Sequence, residues 1–138
     1  MVTDFLSEVS VKDILVDAPV IRRDTPITKA AEVMVDSEFT HIPVVSKNGK
    51  LVGIVTAWDI ANAVAEGIDS MEEVMTKDVV TASPNESIVN VTEKMESRNI
   101  SALPVIEEGR GILGIVTSDL ISQLVSKEKM SDSVNHET

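Results

Sequence analysis

Apolar and polar positions follow two rhythms along this chain, and both rhythms occur twice. Ile27, Ala30, Ala31, Met34 and Val35 recur at i, i+3, i+4, i+7 and i+8, which predicts an amphipathic helix from about Ile27. Ile88, Val91 and Met95 repeat that phase in the second half. Pro26 suits the first turn of the first helix, and Ser83-Pro84-Asn85-Glu86 resembles a capping box for the second. The period then shortens. Ile42–Val45 and Leu51–Val55 are rich in Val and Ile and joined by Ser46-Lys47-Asn48-Gly49-Lys50. Leu103–Ile106 and Ile112–Val116 are joined through Gly109-Arg110-Gly111. Asn-Gly and Gly-x-Gly between such runs predict two hairpins. Val20–Ile21 and Val79–Val80 are short strand candidates, and a last helix is expected to begin at Asp59 and again at Asp119. In those helices Ile60, Ala61, Val64 and Ala65 match Leu120, Ile121, Leu124 and Val125 at an offset of 60.

Each half therefore reads strand–helix–strand–strand–helix. Pro43 matches Pro104, Gly53 matches Gly114 and Thr56 matches Thr117, all at an offset of 61. A duplication of roughly 60 residues is too long for a solenoid repeat and too short for two ordinary domains. Residues 8–66 and 67–127 are expected to be two half-domains, linked at Gly67–Ser70, with 128–138 a flexible tail. Neither half carries enough apolar surface to stand alone, so the two sheets are expected to pack together. Function is then expected at the joint.

Composition narrows the chemistry. With 138 residues the chain amounts to one domain's worth of sequence, and with no cysteine it has neither disulfides nor a thiolate metal site. No N-terminal stretch pairs a basic segment with a long apolar one, so no signal peptide is expected and the cytoplasm is the default compartment. The longest apolar runs, such as Leu51–Val55, are strand-sized. A net charge of −11 argues against sequence-independent nucleic-acid binding and against an anionic membrane surface. It leaves room for a small anionic ligand beside a local Arg, because charges are screened beyond about 8–10 Å. Phe5, Phe39 and Trp58 are the only aromatic residues, too few for a base-stacking platform. Two His, no Cys and no Tyr offer no catalytic triad and no metal constellation, so no enzyme is expected. Glu66, Asp69, Glu72 and Glu73 match no calcium loop and read as a solvated linker.

The repeated hydrophobic-x-hydrophobic-Pro strand, the Gly-hydrophobic-hydrophobic-Thr strand and the downstream Asp resemble a tandem CBS-domain pair, or Bateman module. Val74-Met75-Thr76-Lys77-Asp78-Val79-Val80 is similar to the start of such a copy, and the resemblance covers about residues 10–126. It implies an α/β (α+β) fold of two β-α-β-β-α repeats related by a pseudo-two-fold, with two clefts between them. Such clefts take adenine derivatives: AMP, ADP, ATP, S-adenosylmethionine or methylthioadenosine. The resemblance further implies a homodimer and a regulatory role, read by an unidentified effector protein.

Carried over by the resemblance, one site uses Ile54, Thr56 and Asp59 with Val79, Ile100, Ser101, Ala102 and Pro104. The Asp59 carboxylate accepts two hydrogen bonds, as a ribose diol requires, and the helix N-terminus favours phosphate nearby. Asp59 equally suits a plain N-cap. Arg98 reads either as a phosphate or carboxylate ligand or as a solvated helix-end cation. Leu103 reads as core. The mirror site uses Ile115, Thr117 and Asp119 with Pro19, Thr40, His41, Ile42 and Pro43. Here Thr117 and Asp119 are two steps apart where Thr56 and Asp59 are three, which places a missing residue in the loop, opposite Trp58, and ranks the Asp59 site first. Arg22 and Arg23 read as surface residues, His41 as structural, and Trp58 as a rim, dimer-interface or loop-packing residue. The competing function is a structural dimerisation module with vestigial clefts.

Overall fold

The structure is a computed structural model that describes residues 2–137, with the side chains of residues 5–129. The chain divides into two compact units. Among the described residues, one comprises 17–80 with 108–112; the other comprises 2–16, 81–107 and 113–137.

In the first of these units, β1 (Ile21–Arg22) lies parallel to β2 (His41–Val45), and β2 is antiparallel to β3 (Leu51–Thr56). α2 (Ile27–Ser37) connects β1 to β2, and α3 (Ala57–Glu66) and α4 (Met71–Val74) follow β3. Ile27, Ala30 and Met34 of α2 enter a core with Ile42, Val44, Val55, Ile60 and Met71. Val35 leaves the expected stripe and is 76% exposed. It lies about 80° around α2 from Ile27, at the edge of the stripe.

The second unit repeats this plan. α5 (Ile88–Arg98) buries Ile88, Val91 and Met95 as expected. β4 (Ala102–Glu107) and β5 (Gly111–Thr117) form the hairpin, and α6 runs from Ser118 to Glu137, through residues 128–137 of the expected tail. Thr138 lies outside the described residues. α1 (Val2–Glu8) lies against α5 and α6.

Three expectations change. Val79–Val80 is not a strand; the counterpart of Ile21 is Ala82, which bridges Val105 in parallel as Ile21 pairs with Val44. Both pairs are related by an offset of 61, whereas the Val79–Val80 assignment follows an offset of 59. Ser83 and Glu86 do hydrogen-bond, but within the turn before α5. The N-cap is Ser87, whose hydroxyl accepts from the Asn90 N–H at 3.1 Å. Pro26 occupies the corresponding cap of α2, one residue before its first turn.

Each hairpin carries an extended segment along its outer strand. Ile54 and Thr76 exchange two backbone hydrogen bonds of 2.9 Å, and Val16 and Ile115 do the same at 3.1 and 2.9 Å. Gly53 and Gly114 permit this approach. A Cβ on Gly53 would meet the Met75 thioether at 2.7 Å, and one on Gly114 would strike the Val16 carbonyl oxygen.

Candidate functional site

The corner after β3 is built by reciprocal capping. Thr56 is the N-cap of α3, and its hydroxyl accepts from the Asp59 N–H at 3.1 Å. The Asp59 Oδ2 accepts in turn from the Thr56 N–H at 2.9 Å. α3 thus begins two residues before Asp59, and Asp59 is the third helical residue, not the N-cap. The Thr40 carbonyl accepts from the Ala57 N–H at 2.9 Å and ties the helix start to the residue preceding β2. Oδ1 of Asp59 carries no hydrogen bond among the described residues, and the side chain is half-buried. The capping box fixes the carboxylate while its other acceptor oxygen stays open at the start of α3. Ile54, half-buried on β3, pairs with Pro43. Val79 is half-buried, outside any helix or strand, three residues after Thr76.

The corner after β5 uses the same backbone and a different side chain. The Ser101 carbonyl accepts from the Ser118 N–H at 2.9 Å, 61 residues on from the Thr40–Ala57 bond. The Thr117 hydroxyl accepts from the Leu120 N–H at 3.2 Å. Ile121 is buried as Ile60 is. The offset therefore stays at 61 through the corner, and no residue is missing from the loop. Leu120 stands where Asp59 stands, and Asp119 stands where Trp58 stands. Asp119 is exposed, with no hydrogen bond among the described residues, and α6 begins one residue before it. An offset of 60 aligns the two acids, and on sequence alone that alignment competes with 61.

The remaining predicted residues fall as follows. Beside the Thr56 corner, in the same unit, Ile42 and Pro43 are buried on β2, His41 and Pro19 are half-buried, and Thr40 is exposed with its hydroxyl 3.0 Å from His41 Nδ1. Beside the Thr117 corner, Ala102 and Pro104 are buried on β4, Ile115 is buried on β5, and Ser101 is exposed. Leu103 is fully buried core. Half-buried Ile100 lines a cavity of ≈ 320 Å³ with Met95, Asn99, Ser118 and Ser122. Arg98 is exposed in the last turn of α5, with no ion pair among the described residues. Trp58 is 74% exposed.

Sequence reasoning missed an ion cluster. Arg23 Nη2 lies 2.6 Å from Glu72 Oε1, and Lys77 Nζ lies 3.3 Å from Glu72 Oε2. The Arg23 guanidinium hydrogen-bonded to Glu72 holds its carboxyl below the usual glutamate range; Lys77 adds to this, and partial desolvation opposes it. Glu72 is therefore a paired group, not part of a solvated acidic linker. Arg23 and Glu72 lie 49 residues apart, beyond any local charge pattern.

Residues 9–66 and 71–126 each match the CBS domain family. The chain is 48% identical over 128 residues to a protein of Methanohalobium evestigatum named homoserine O-acetyltransferase, covering 92% of this chain and 26% of that one. It is 42% identical over 120 residues to one of Methanocaldococcus jannaschii named L-aspartate semialdehyde sulfurtransferase, covering 86% and 24%. This chain thus spans about a quarter of the length of these curated relatives. Among solved structures, the CBS domain pair of protein MJ0100, in complex with 5′-methylthioadenosine and S-adenosyl-L-methionine, superimposes with a TM-score of 0.81 at 41% identity. That match covers 87% of this chain and 98% of the other. Two successive family matches over most of the chain, on two copies of one strand–helix–hairpin–helix plan, place this protein in the CBS domain family as a tandem pair.

Proposed function

We propose that this chain is a regulatory module that binds an adenosyl ligand and is not itself catalytic. The observation that carries the reading is its 41% identity to a CBS pair solved with methylthioadenosine and S-adenosylmethionine. The Thr56–Asp59 corner supplies matching chemistry: a fixed, half-buried carboxylate with one acceptor oxygen open at the start of α3. The ligand set comprises Ile54, Thr56, Asp59 and Val79 with Arg98, Ile100, Ser101, Ala102 and Pro104. AMP, ADP and ATP belong to the same candidate class. The repeats acting as functional halves are residues 8–66 and 67–127. The ligand shifts the module between states only by its difference in affinity for them. Its effector is an enzyme of the kinds named among the relatives.

We also place the module in the cytoplasm, as a homodimer. Val35, Trp58 and Val64, exposed on α2 and α3, support self-association. No helix among the described residues is long and apolar enough to cross a membrane.

The test is a thermal-shift panel with S-adenosylmethionine, methylthioadenosine, AMP, ADP and ATP on the parent chain and on Asp59→Ala, each compared with its own ligand-free midpoint. A ligand at 100 times its Kd stabilises by about 2.7 kcal/mol, or several degrees for a domain of this size. Asp59→Ala is expected to cut that shift by about half or more, since a 10-fold weaker ligand at the same concentration stabilises by only about 1.4 kcal/mol. No shift with any ligand at millimolar concentration overturns the reading in favour of a structural dimerisation module.

A further inference from the structure

We infer that the two corners are chemically unequal and that the chain holds one cis-diol ligand, at Asp59, instead of two. The inference rests on the adenosyl reading above and adds which corner carries it. The backbone hydrogen bonds of the corners correspond in register: Thr40–Ala57 matches Ser101–Ser118, each bond 2.9 Å, and Asp59–Thr56 matches Leu120–Thr117. Ile60 and Ile121, the next residues, are both buried. The position that aims a side chain back at the capping threonine therefore holds a carboxylate in one copy and an isobutyl group in the other. Leu120 accepts no hydrogen bond, so the Thr117 corner offers a diol no anionic acceptor from that place.

Asp119 does not substitute for it. One residue is about 100° of turn on an α-helix, so its carboxylate leaves α6 about 100° away from the direction Asp59 takes on α3. That direction belongs to Trp58 in the first copy, where the side chain is 74% exposed. Asp59 is half-buried and locked by the Thr56 N–H at 2.9 Å; Asp119 is exposed and unbonded among the described residues. Binding a diol at Asp119 would mean ordering a free surface side chain first, whereas Asp59 is already held.

The experiment is calorimetric titration of the full chain with S-adenosylmethionine and, separately, methylthioadenosine. One ligand per chain is expected. Asp59→Ala should weaken binding by about 10-fold or more, the scale of a lost hydrogen bond to a charged group. Asp119→Ala should change affinity by less than about 2-fold, as expected for an uninvolved surface side chain. Asp59→Asn keeps an acceptor for the Thr56 N–H, so α3 retains its cap while the charge is lost, and it should weaken binding on the same scale as Asp59→Ala. Two ligands per chain, or equal losses in the Asp59 and Asp119 variants, overturn the inference and leave the adenosyl reading standing. Absence of binding to the parent chain overturns both.

Discussion

Gly114→Ala tests the tighter of the two glycine approaches at the hairpins. A Cβ at position 114 would meet the Val16 carbonyl oxygen, and also Leu15 Cδ1 at 2.7 Å. The carbonyl is not free to retreat. Val16 donates to the Ile115 oxygen at 3.1 Å and accepts from the Ile115 N–H at 2.9 Å, so relieving the clash stretches both bonds. Overpacking of this kind costs about 1–3 kcal/mol, and weakening two backbone bonds adds roughly 1 kcal/mol. The sum, about 2–4 kcal/mol, should lower Tm by roughly 6–16 °C for a chain of this length. Gly53→Ala provides the comparison. Its nearest obstacles are Sδ and Cγ of Met75 at 2.7 and 3.0 Å, a flexible side chain, with the Thr76 carbonyl also at 3.0 Å. It should cost about 1–2 kcal/mol, the low end of the same range. Urea unfolding at matched m-values gives both numbers, and hydrogen exchange at the Ile115 amide reports the strap directly. A Gly114→Ala protein within about 0.5 kcal/mol of the parent, or one more stable than Gly53→Ala, would refute the reasoning, because 0.5 kcal/mol is the size of an ordinary surface substitution.

Three further outcomes are expected. Glu38 ends α2 with φ 63, a left-handed conformation that costs a non-glycine residue about 1–2 kcal/mol; Glu38→Gly should therefore raise the urea midpoint, and a lowered midpoint would show that this side chain stabilises α2 in another way. Glu72 has a folded pKa below its ordinary value of 4.5 because of its hydrogen bond to Arg23. Its contribution to stability is thus fully present above about 4.5 and lost as pH falls through the depressed folded pKa; Glu72→Gln should flatten the acid limb of stability against pH, and an unchanged limb would discount the cluster. Met34→Ala, at a core position, should cost about 2–5 kcal/mol, whereas Val35→Ala, 76% exposed, should stay within about 0.5 kcal/mol in monomeric protein; similar costs at both would contradict the observed face of α2.

Periodicity was a sound guide wherever the physics is local. The α5 stripe, the α2 stripe apart from Val35, and both hairpins stand where their spacing places them, because a 3.6-residue turn and an alternating strand each select their own buried face. The pair of copies and the family were also legible, since the same order of motifs appears twice. What the chain alone left open was register at the corners and pairing at a distance. Offsets of 60 and 61 both pair apolar residues in the last helices, because Ile60 lies beside Ala61 and Ala63 beside Val64 and Ala65, so either shift sets apolar against apolar at most of these positions. The bonds from the Ala57 N–H to Thr40 and from the Ser118 N–H to Ser101, with the Thr117 cap on Leu120, decide for 61, and with it that Leu120, not Asp119, corresponds to Asp59. Ala82, Thr76 and Val16 earn their places through hydrogen bonds to strands 23, 22 and 99 residues away, and Arg23 meets Glu72 across 49. Contacts of that separation have no local periodicity, so composition and spacing do not contain them. Sequence determined the main helices and hairpins, whose periods are local; the folded chain determined where Val79–Val80 and residues 128–137 depart from them, and which carboxylate is held and which is left in solvent.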